Sequence, residues 1–396
     1  MKLSRRITQV TDGGSGGWDI YFKARAMKQA GAPVIELTVG DHDIPTHPDI
    51  LGAMDASARA GATGYSAVPG SERLRAAIAA RCTEMTGVET RVQDVIVTAG
   101  GQAALLAAHA AALDPGDTGL FIDPYYATYP GTIRAVAGVP KAIAARPEGG
   151  FQPRASAIDA AAAGARSLLI NSPNNPTGAV YSRRTMHQIA EIATAHDLWL
   201  ISDEVYDSQV WQGTHVSARA LDGMAERTLV IGSMSKAFAM TGSRIGWIIA
   251  APEVIRWLTI LATHTTYGVP GFVQDAALYA LENRTRLEPL VAAPYLRRRD
   301  LAMRVFSQSP ALHPAAPQGA MYVMLDVRPT GLDGIGFADA LLEDTGIAVM
   351  PGESFGAAAA GHIRIALTQP EGRLETALRQ IRAFAEALLG RRGGAA

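Results

Sequence analysis

Leu229-Val230-Ile231-Gly232-Ser233-Met234-Ser235-Lys236-Ala237-Phe238-Ala239-Met240-Thr241-Gly242-Ser243-Arg244-Ile245-Gly246-Trp247 is the stretch that decides how this chain folds. A short β-branched run opens it, as a buried strand requires, and Ile245 to Ile249 forms a second such run. Between them, two serines, a lysine and an arginine flank one apolar loop, so polar chemistry sits at a strand end. The chain has 396 residues and 36 lysines plus arginines, but its only lysines are Lys2, Lys23, Lys28, Lys141 and Lys236. A scarce amine among hydroxyls reads as chosen for its chemistry. Lysine, unlike arginine, loses its proton when desolvated and attacks a carbonyl, which makes Lys236 the first candidate nucleophile. The plainer alternative is a surface lysine left over by an arginine-rich composition, and the neighbours decide between the two.

Outward from this stretch the texture repeats. Val95-Ile96-Val97, Leu120-Phe121-Ile122, Leu168-Leu169-Ile170 and Leu198-Trp199-Leu200-Ile201 alternate with longer Ala-rich segments, which predicts an α/β fold with a mostly parallel sheet sandwiched by helices. Gly100, Asn175, Asp203 and the Ser233 to Lys236 group follow these strands. Open α/β sheets bind ligands beyond the carboxyl ends of their strands, so one ligand can touch them all. After about residue 285 the pattern changes to a long charged helix (Glu288 to Ser307), a strand (Met321 to Val327), a helix (Phe337 to Asp344), a strand (Ile363 to Leu367) and a terminal helix. The expected division is a large domain over residues 46–285 and a smaller α+β domain over residues 1–45 and 286–396. Gly13 to Gly17 reads as a mobile lid or arm, and Arg297-Arg298-Arg299 as a solvated helix face.

Each further motif carries two readings. Gly100-Gly101-Gln102-Ala103 offers free backbone N–H groups at a helix start, suited to a phosphate, or a plain turn. Asn171 to Gly178 is turn-rich. Asp203-Glu204-Val205-Tyr206 sets a carboxylate at a strand end, where it could equally cap a helix. In Asp123-Pro124-Tyr125-Tyr126-Ala127-Thr128-Tyr129 the aromatics could simply pack, the reading adopted for Tyr125 and Tyr129. Arg364 interrupts the apolar run His362 to Leu367 and needs an anionic partner if it is buried.

In this order, from about residue 38 to 367, the motifs resemble the class I/II aminotransferases, fold-type-I enzymes of the aspartate aminotransferase superfamily that depend on pyridoxal 5'-phosphate (PLP). The resemblance implies that Lys236 is the lysine that bonds to PLP and then carries the substrate proton. Ser233, Ser235 and Arg244, with the backbone of Gly101, Gln102 and Ala103, would hold the phosphate. Asp203 would pair with the pyridinium nitrogen, Tyr206 and Asn175 would reach the 3-oxygen, and Tyr126 would stack on the ring. Asn175, Arg364 and the backbone at Gly40 would take the substrate carboxylate. Tyr65, in Gly64-Tyr65-Ser66, matches a residue that reaches the neighbouring subunit's phosphate, which implies a homodimer with shared sites. The expected reaction moves an L-amino acid's α-amino group to a 2-oxo acid, pyruvate or 2-oxoglutarate, in ping-pong fashion. A PLP-dependent β-lyase or decarboxylase is the alternative, and a regulator or an idle scaffold on the same fold would need a DNA-binding module or a damaged site. Gln102 stands where some dicarboxylate-specific relatives carry lysine, and Trp257 to Asn283 contains neither lysine nor arginine. Both features argue against an aspartate specialist. Asp19 is a candidate donor-facing carboxylate.

Composition narrows the remainder. A formal net charge of −1 with dispersed basic residues gives no footprint for nucleic acid. No apolar run approaches the roughly 20 residues of a membrane span, and Met1 to Arg6 lacks a secretory apolar core, so a cytoplasmic enzyme is expected. Cys82 is the only cysteine, which excludes an intrachain disulfide and suits helix packing. The nine histidines form no His-x-x-x-His pair, so no metal site is expected, and no Gly-x-Ser-x-Gly elbow points to a hydrolase.

Overall fold

The structure, a computed structural model, describes residues 1–12 and 17–393. The lid expected at Gly13 to Gly17 falls almost entirely outside them. Among the described residues the strands are β1 (Ile35–Glu36), β2 (Val95–Thr98), β3 (Thr118–Asp123), β4 (Val139–Ala144), β5 (Ala165–Asn171), β6 (Trp199–Asp203), β7 (Thr228–Ser233), β8 (Gly246–Ile249), β9 (His313–Ala315), β10 (Tyr322–Asp326), β11 (Ile347–Ala348), β12 (Met350–Pro351) and β13 (His362–Ala366).

Seven of these form one sheet in the order β2-β8-β7-β6-β5-β3-β4. All neighbours run parallel except at β8, which is antiparallel to both β2 and β7. β5 and β7 are buried almost throughout, so they read as unbroken apolar runs. β4, by contrast, lies at the sheet's edge with Ile143 as its only buried residue, and it left no apolar run in the sequence. Helices cover the sheet, giving the expected sandwich. The helix Gly101–Ala112 starts beyond β2 through Gly100 at φ +87°, a left-handed turn that suits glycine.

A second sheet, β12-β13-β10-β9, is antiparallel. β1 pairs in parallel with β11. Ile20, Ala24, Val34 and Leu37 share an apolar core with Tyr295, Phe306, Phe337 and Ile381, so the N-terminal segment packs with the C-terminal third of the chain. The helix Arg284–Phe306 belongs to this part, and here one expectation needs correction. Arg298 is buried, because it forms a two-pronged ion pair with Asp43 at 2.7 Å on each arm and donates to Leu367 O. Arg297 alone is an exposed cation there, paired with Glu371, while Arg299 is half-buried and donates to Pro317 O. The periodicity placed these residues on a helix correctly but could not reveal Asp43 approaching from 255 positions away. Cys82 is buried within the helix Glu72–Thr86, and burial pushes its thiol pKa up, as for a packing residue.

Candidate active site

The carboxyl ends of β2, β5, β6 and β7 converge on a cavity of about 420 Å³ that also receives the loop after β1 and residues of β10 and β13. Its walls include Gly40, Gly101, Gln102, Tyr126, Asn175, Asp203, Tyr206, Ser233, Ser235, Lys236, Arg244 and Arg364. Residues from Trp18 to Arg364, 346 positions apart, thus meet around one space. Ala103, expected to contribute only its backbone, faces an adjoining cavity instead. Tyr65 is 95% exposed, lies outside both cavities and makes a ring contact with Tyr267 at 5.3 Å.

Lys236 rides on the single helical turn Met234–Ala237 that follows β7, with its Nζ donating to Gly40 O. Ser233 Oγ accepts from Ser235 N at 3.1 Å, which caps this turn and fixes both serines at the strand end. Arg244 holds φ +52°, a left-handed conformation uncommon for a side-chain-bearing residue, and donates to Thr241 O at 2.8 Å. A Cβ placed at Gly100 would come to 2.6 Å of Arg244 Nη2, so the guanidinium lies directly against the glycine turn that opens the helix Gly101–Ala112. That helix has no side-chain cap. A guanidinium, two serines and an uncapped helix N-terminus make an anion cradle.

Asp203 is buried at the end of β6, and burial pushes its carboxyl pKa up to about 6, against the pull of hydrogen bonds from Tyr129 and Val205. Tyr129 OH donates to Asp203 Oδ2 at 2.7 Å. Tyr206 OH lies 2.8 Å from Tyr322 OH, and burial, then the neighbouring Tyr322, keep its phenol neutral and able to donate. Arg364 is buried between the rings of Tyr322 and Phe355, at 4.5 and 4.3 Å. Its Nη1 donates to Asn175 Oδ1 at 2.8 Å and its Nη2 to Thr38 O, while Nε is buried with no hydrogen-bond partner. A buried cation with an unsatisfied arm is suited to an anionic partner.

Several wall residues escaped the sequence reading. Tyr129 packs in an apolar core as read, and its OH also donates to Asp203 in the wall, a role the sequence did not show. Its place in the aromatic cluster after β3 was the available signal. Tyr322 opens β10 and looks in sequence like any strand aromatic. Asn171, the last residue of β5, donates to Asp203 O at 2.9 Å and accepts from Asn175 N at 2.8 Å, tying two motifs together. Trp18 lines the cavity, whereas Asp19 starts the neighbouring helix outside its wall. The acidic wall residue besides Asp203 is Asp41, which accepts from Thr241 Oγ1 at 2.8 Å. Among the described residues no group of three or more His, Cys, Asp or Glu is placed to hold a metal, and no helix is long and apolar enough to cross a membrane.

A lysine, an anion cradle and a buried carboxylate at the strand ends face an arginine on a second sheet, the arrangement of an enzyme that grips an anionic cofactor and an amino acid. The family profile "Aminotransferase class I and II" matches residues 32–381, and the chain belongs to that family. It is 40% identical over 391 residues to an arginine–pyruvate transaminase of Pseudomonas aeruginosa, covering 98% of this chain and 100% of that protein. An aspartate/prephenate aminotransferase of Thermus thermophilus is 34% identical over 380 residues, 95% of this chain and 97% of that one. The fold matches an aspartate aminotransferase from Thermus thermophilus with maleate at a TM-score of 0.91 and 34% identity, over 97% of this chain and 99% of that chain. The chain is a transaminase that uses a 2-oxo acid, and class I/II aminotransferases depend on PLP.

Proposed function

We propose that this cavity is a PLP site, that Arg364 takes the donor's α-carboxylate, and that the donor is a basic or neutral L-amino acid with pyruvate or 2-oxoglutarate as acceptor. The fit rests on the donor set. The cradle of Ser233, Ser235, Arg244 and the Gly101–Ala103 backbone suits a phosphate dianion, and Asp203 suits a ring N–H. Asn175 and Tyr206 suit a ring oxygen, and the face of Tyr126 suits the ring itself. PLP supplies a carbonyl that takes up the amine and an electron-poor ring that stabilises the charge left on the α-carbon. Lys236 Nζ would be the nucleophile toward the cofactor carbonyl and, as a free amine, would carry the proton from the substrate α-carbon. Asp203 opposes its negative charge to the ring nitrogen, while Tyr206 donates a hydrogen bond. Arg364 fixes the α-carboxylate so that the Cα–H faces Lys236.

The observation that carries the donor preference is the charge of the wall. Lys236, Arg244 and Arg364 are its only lysine or arginine side chains among the described residues, and each already has a task. A second substrate carboxylate would find no free cation, while a cationic side chain would find Asp41. The 40% identical relative named for arginine and pyruvate supports the same direction. Screening the purified enzyme with all amino acids against both acceptors tests it. Aspartate as the best donor by a wide margin would refute it. For the chain's division, the core shared by residues 20–37 and 291–385, which also takes in Tyr206 and Ala239 at the seam, supports a large unit over residues 46–285 and a small one over residues 1–45 and 286–396. The exposure of Tyr65 supports a homodimer in which it reaches its partner's site.

A further inference from the structure

The turn that carries Asp203 and Tyr206 has a second face. Asp203, Val205 and Tyr206 line the cavity, whereas Glu204 and Asp207 point behind it. Behind the turn Arg81 grips Asp207 with both guanidinium arms, at 2.7 and 3.0 Å, and its Nη2 lies 3.6 Å from Glu288 Oε1. His215 Nε2 lies 3.1 Å from Glu204 Oε2. The other Glu204 oxygen accepts from Ser202 Oγ, Ser217 Oγ and Ala218 N at 2.7, 3.0 and 3.2 Å. The Glu204 and His215 side chains are 4% and 8% exposed, and those of Arg81 and Asp207 12% and 13%. None of these four touches the cavity.

Buried ions are costly unless each has a well-placed partner, and removing one partner strands the other. Such a cluster therefore admits few geometries. β6 ends at Asp203, and the turn beyond it is held on the cavity side by Asn171 Nδ2 donating to Asp203 O and within itself by Glu204 N donating to Ile231 O, Val205 N to Asp203 Oδ1, Asp207 N to Glu204 O and Gln209 N to Tyr206 O, so its rear face depends on this ionic network.

We propose that Asp207, Glu204, Arg81 and His215 are positioning residues for transamination: acting from behind the cavity, they fix the turn on which Asp203 and Tyr206 meet the cofactor. This rests on the roles proposed above for Asp203 and Tyr206. The network joins three parts of the chain to that turn, the helix Glu72–Thr86 through Arg81, the loop after β6 through His215 and the helix Arg284–Phe306 through Glu288. A shift of the turn moves the ring-nitrogen contact and the 3-oxygen contact together.

The test compares cofactor-saturated Asp207→Asn with Ile158→Ala, a fully buried site in an apolar core that includes none of residues 203–207, so its truncation lowers stability without touching the turn. At a temperature where both are folded, kcat, KM and the pH midpoint of the bound cofactor's visible absorbance are measured. Asp207→Asn is expected to lower kcat about tenfold with KM changed less than about threefold, and to shift the midpoint by about half a unit or more. Ile158→Ala should lose thermal stability alone. Arg81→Lys keeps the charge but loses the two-pronged grip, and it is expected to show the same changes at smaller size; it carries the test if Asp207→Asn does not fold. Loaded, folded variants with kcat within about twofold of wild type and an unmoved midpoint would overturn the proposal. Asp203→Asn is run alongside. If it leaves the spectrum unchanged, the role assigned to Asp203 has failed, not the positioning argument.

Discussion

The large and small sheets meet at one cavity but build it in different ways. The seven-stranded sheet delivers its groups at strand ends: Asp203 closes β6, Ser233 closes β7 and Asn175 follows β5, where the ladder stops and side chains can face the cavity. The small sheet delivers Arg364 from the middle of β13, paired with Met324 on β10 and Met350 on β12, with its guanidinium between two aromatic rings. Strand-end groups suit a resident molecule that must be gripped from several sides. A mid-strand cation pinned by rings suits repeated capture and release of one carboxylate. The difference predicts that damage to the first wall harms the chemistry and cofactor, while damage to the second harms donor affinity.

The sharpest break in the comparison is Lys236→Ala. Nucleophile and proton carrier vanish together, so turnover should fall at least about a hundredfold and the bound cofactor's visible band should shift. Near-normal transamination would remove the large-sheet wall from the chemistry. Asp203→Asn follows, with an expected loss of about a hundredfold in turnover. It also carries a stability signature. Burial raises the Asp203 pKa from 3.8 to about 6, so the folded protein binds the proton more tightly than the unfolded chain. Stability from this group is present below about pH 4 and is lost as pH rises through about 6. Cofactor-free Asp203→Asn should therefore be more stable than the wild type at pH 7, on the order of 2 kcal/mol, with the gain gone near pH 4. Denaturant unfolding at both pH values checks it.

For the small-sheet wall the expected effect is lower and of another kind. Arg364→Lys keeps a positive charge but loses the fork, so donor kcat/KM should fall about thirtyfold, mostly through KM, while cofactor affinity stays within about twofold. Loss of cofactor binding in that variant would erase the distinction between the walls.

The same difference explains what could be read in advance. β5, β6 and β7 are buried on both faces, so each appears in sequence as an apolar run, and the polar residue that ends it stands out. Lys236, Asp203 and Asn175 were found in this way, with family resemblance supplying their roles. Tyr129, Tyr322 and Asp41 were not, because a tyrosine in a helix or strand carries no mark of the carboxylate or phenol it will meet. The partner of Tyr129 lies 74 positions along the chain and that of Tyr322 lies 116 positions away. Arg298 was misplaced for the same reason. Its helical position was legible, but the approach of Asp43 is a tertiary fact. The architecture was legible where burial leaves a periodic trace, and β4 left none because an edge strand with one buried residue has nothing to be periodic about.

A third wall would come from a second copy of the chain, and it sets the smallest effect. Tyr65 is a large aromatic almost wholly in solvent, tilted against the ring of Tyr267 and outside its own chain's cavity wall. If it completes the partner's phosphate cradle, Tyr65→Ala damages the neighbour's site and Lys236→Ala its own. A hybrid of the two then holds one doubly damaged site and one intact site. Random re-pairing of equal amounts yields half hybrids, so about a quarter of all sites should be intact in a symmetric dimer. Activity should rise from that of the impaired parents to about a quarter of wild type, following hybrid formation in time. If Tyr65 served its own subunit, every site in the hybrid would carry one lesion and no recovery would follow. That result in confirmed hybrids, with Tyr65→Ala itself impaired, would leave the two walls of a single chain to account for the whole site.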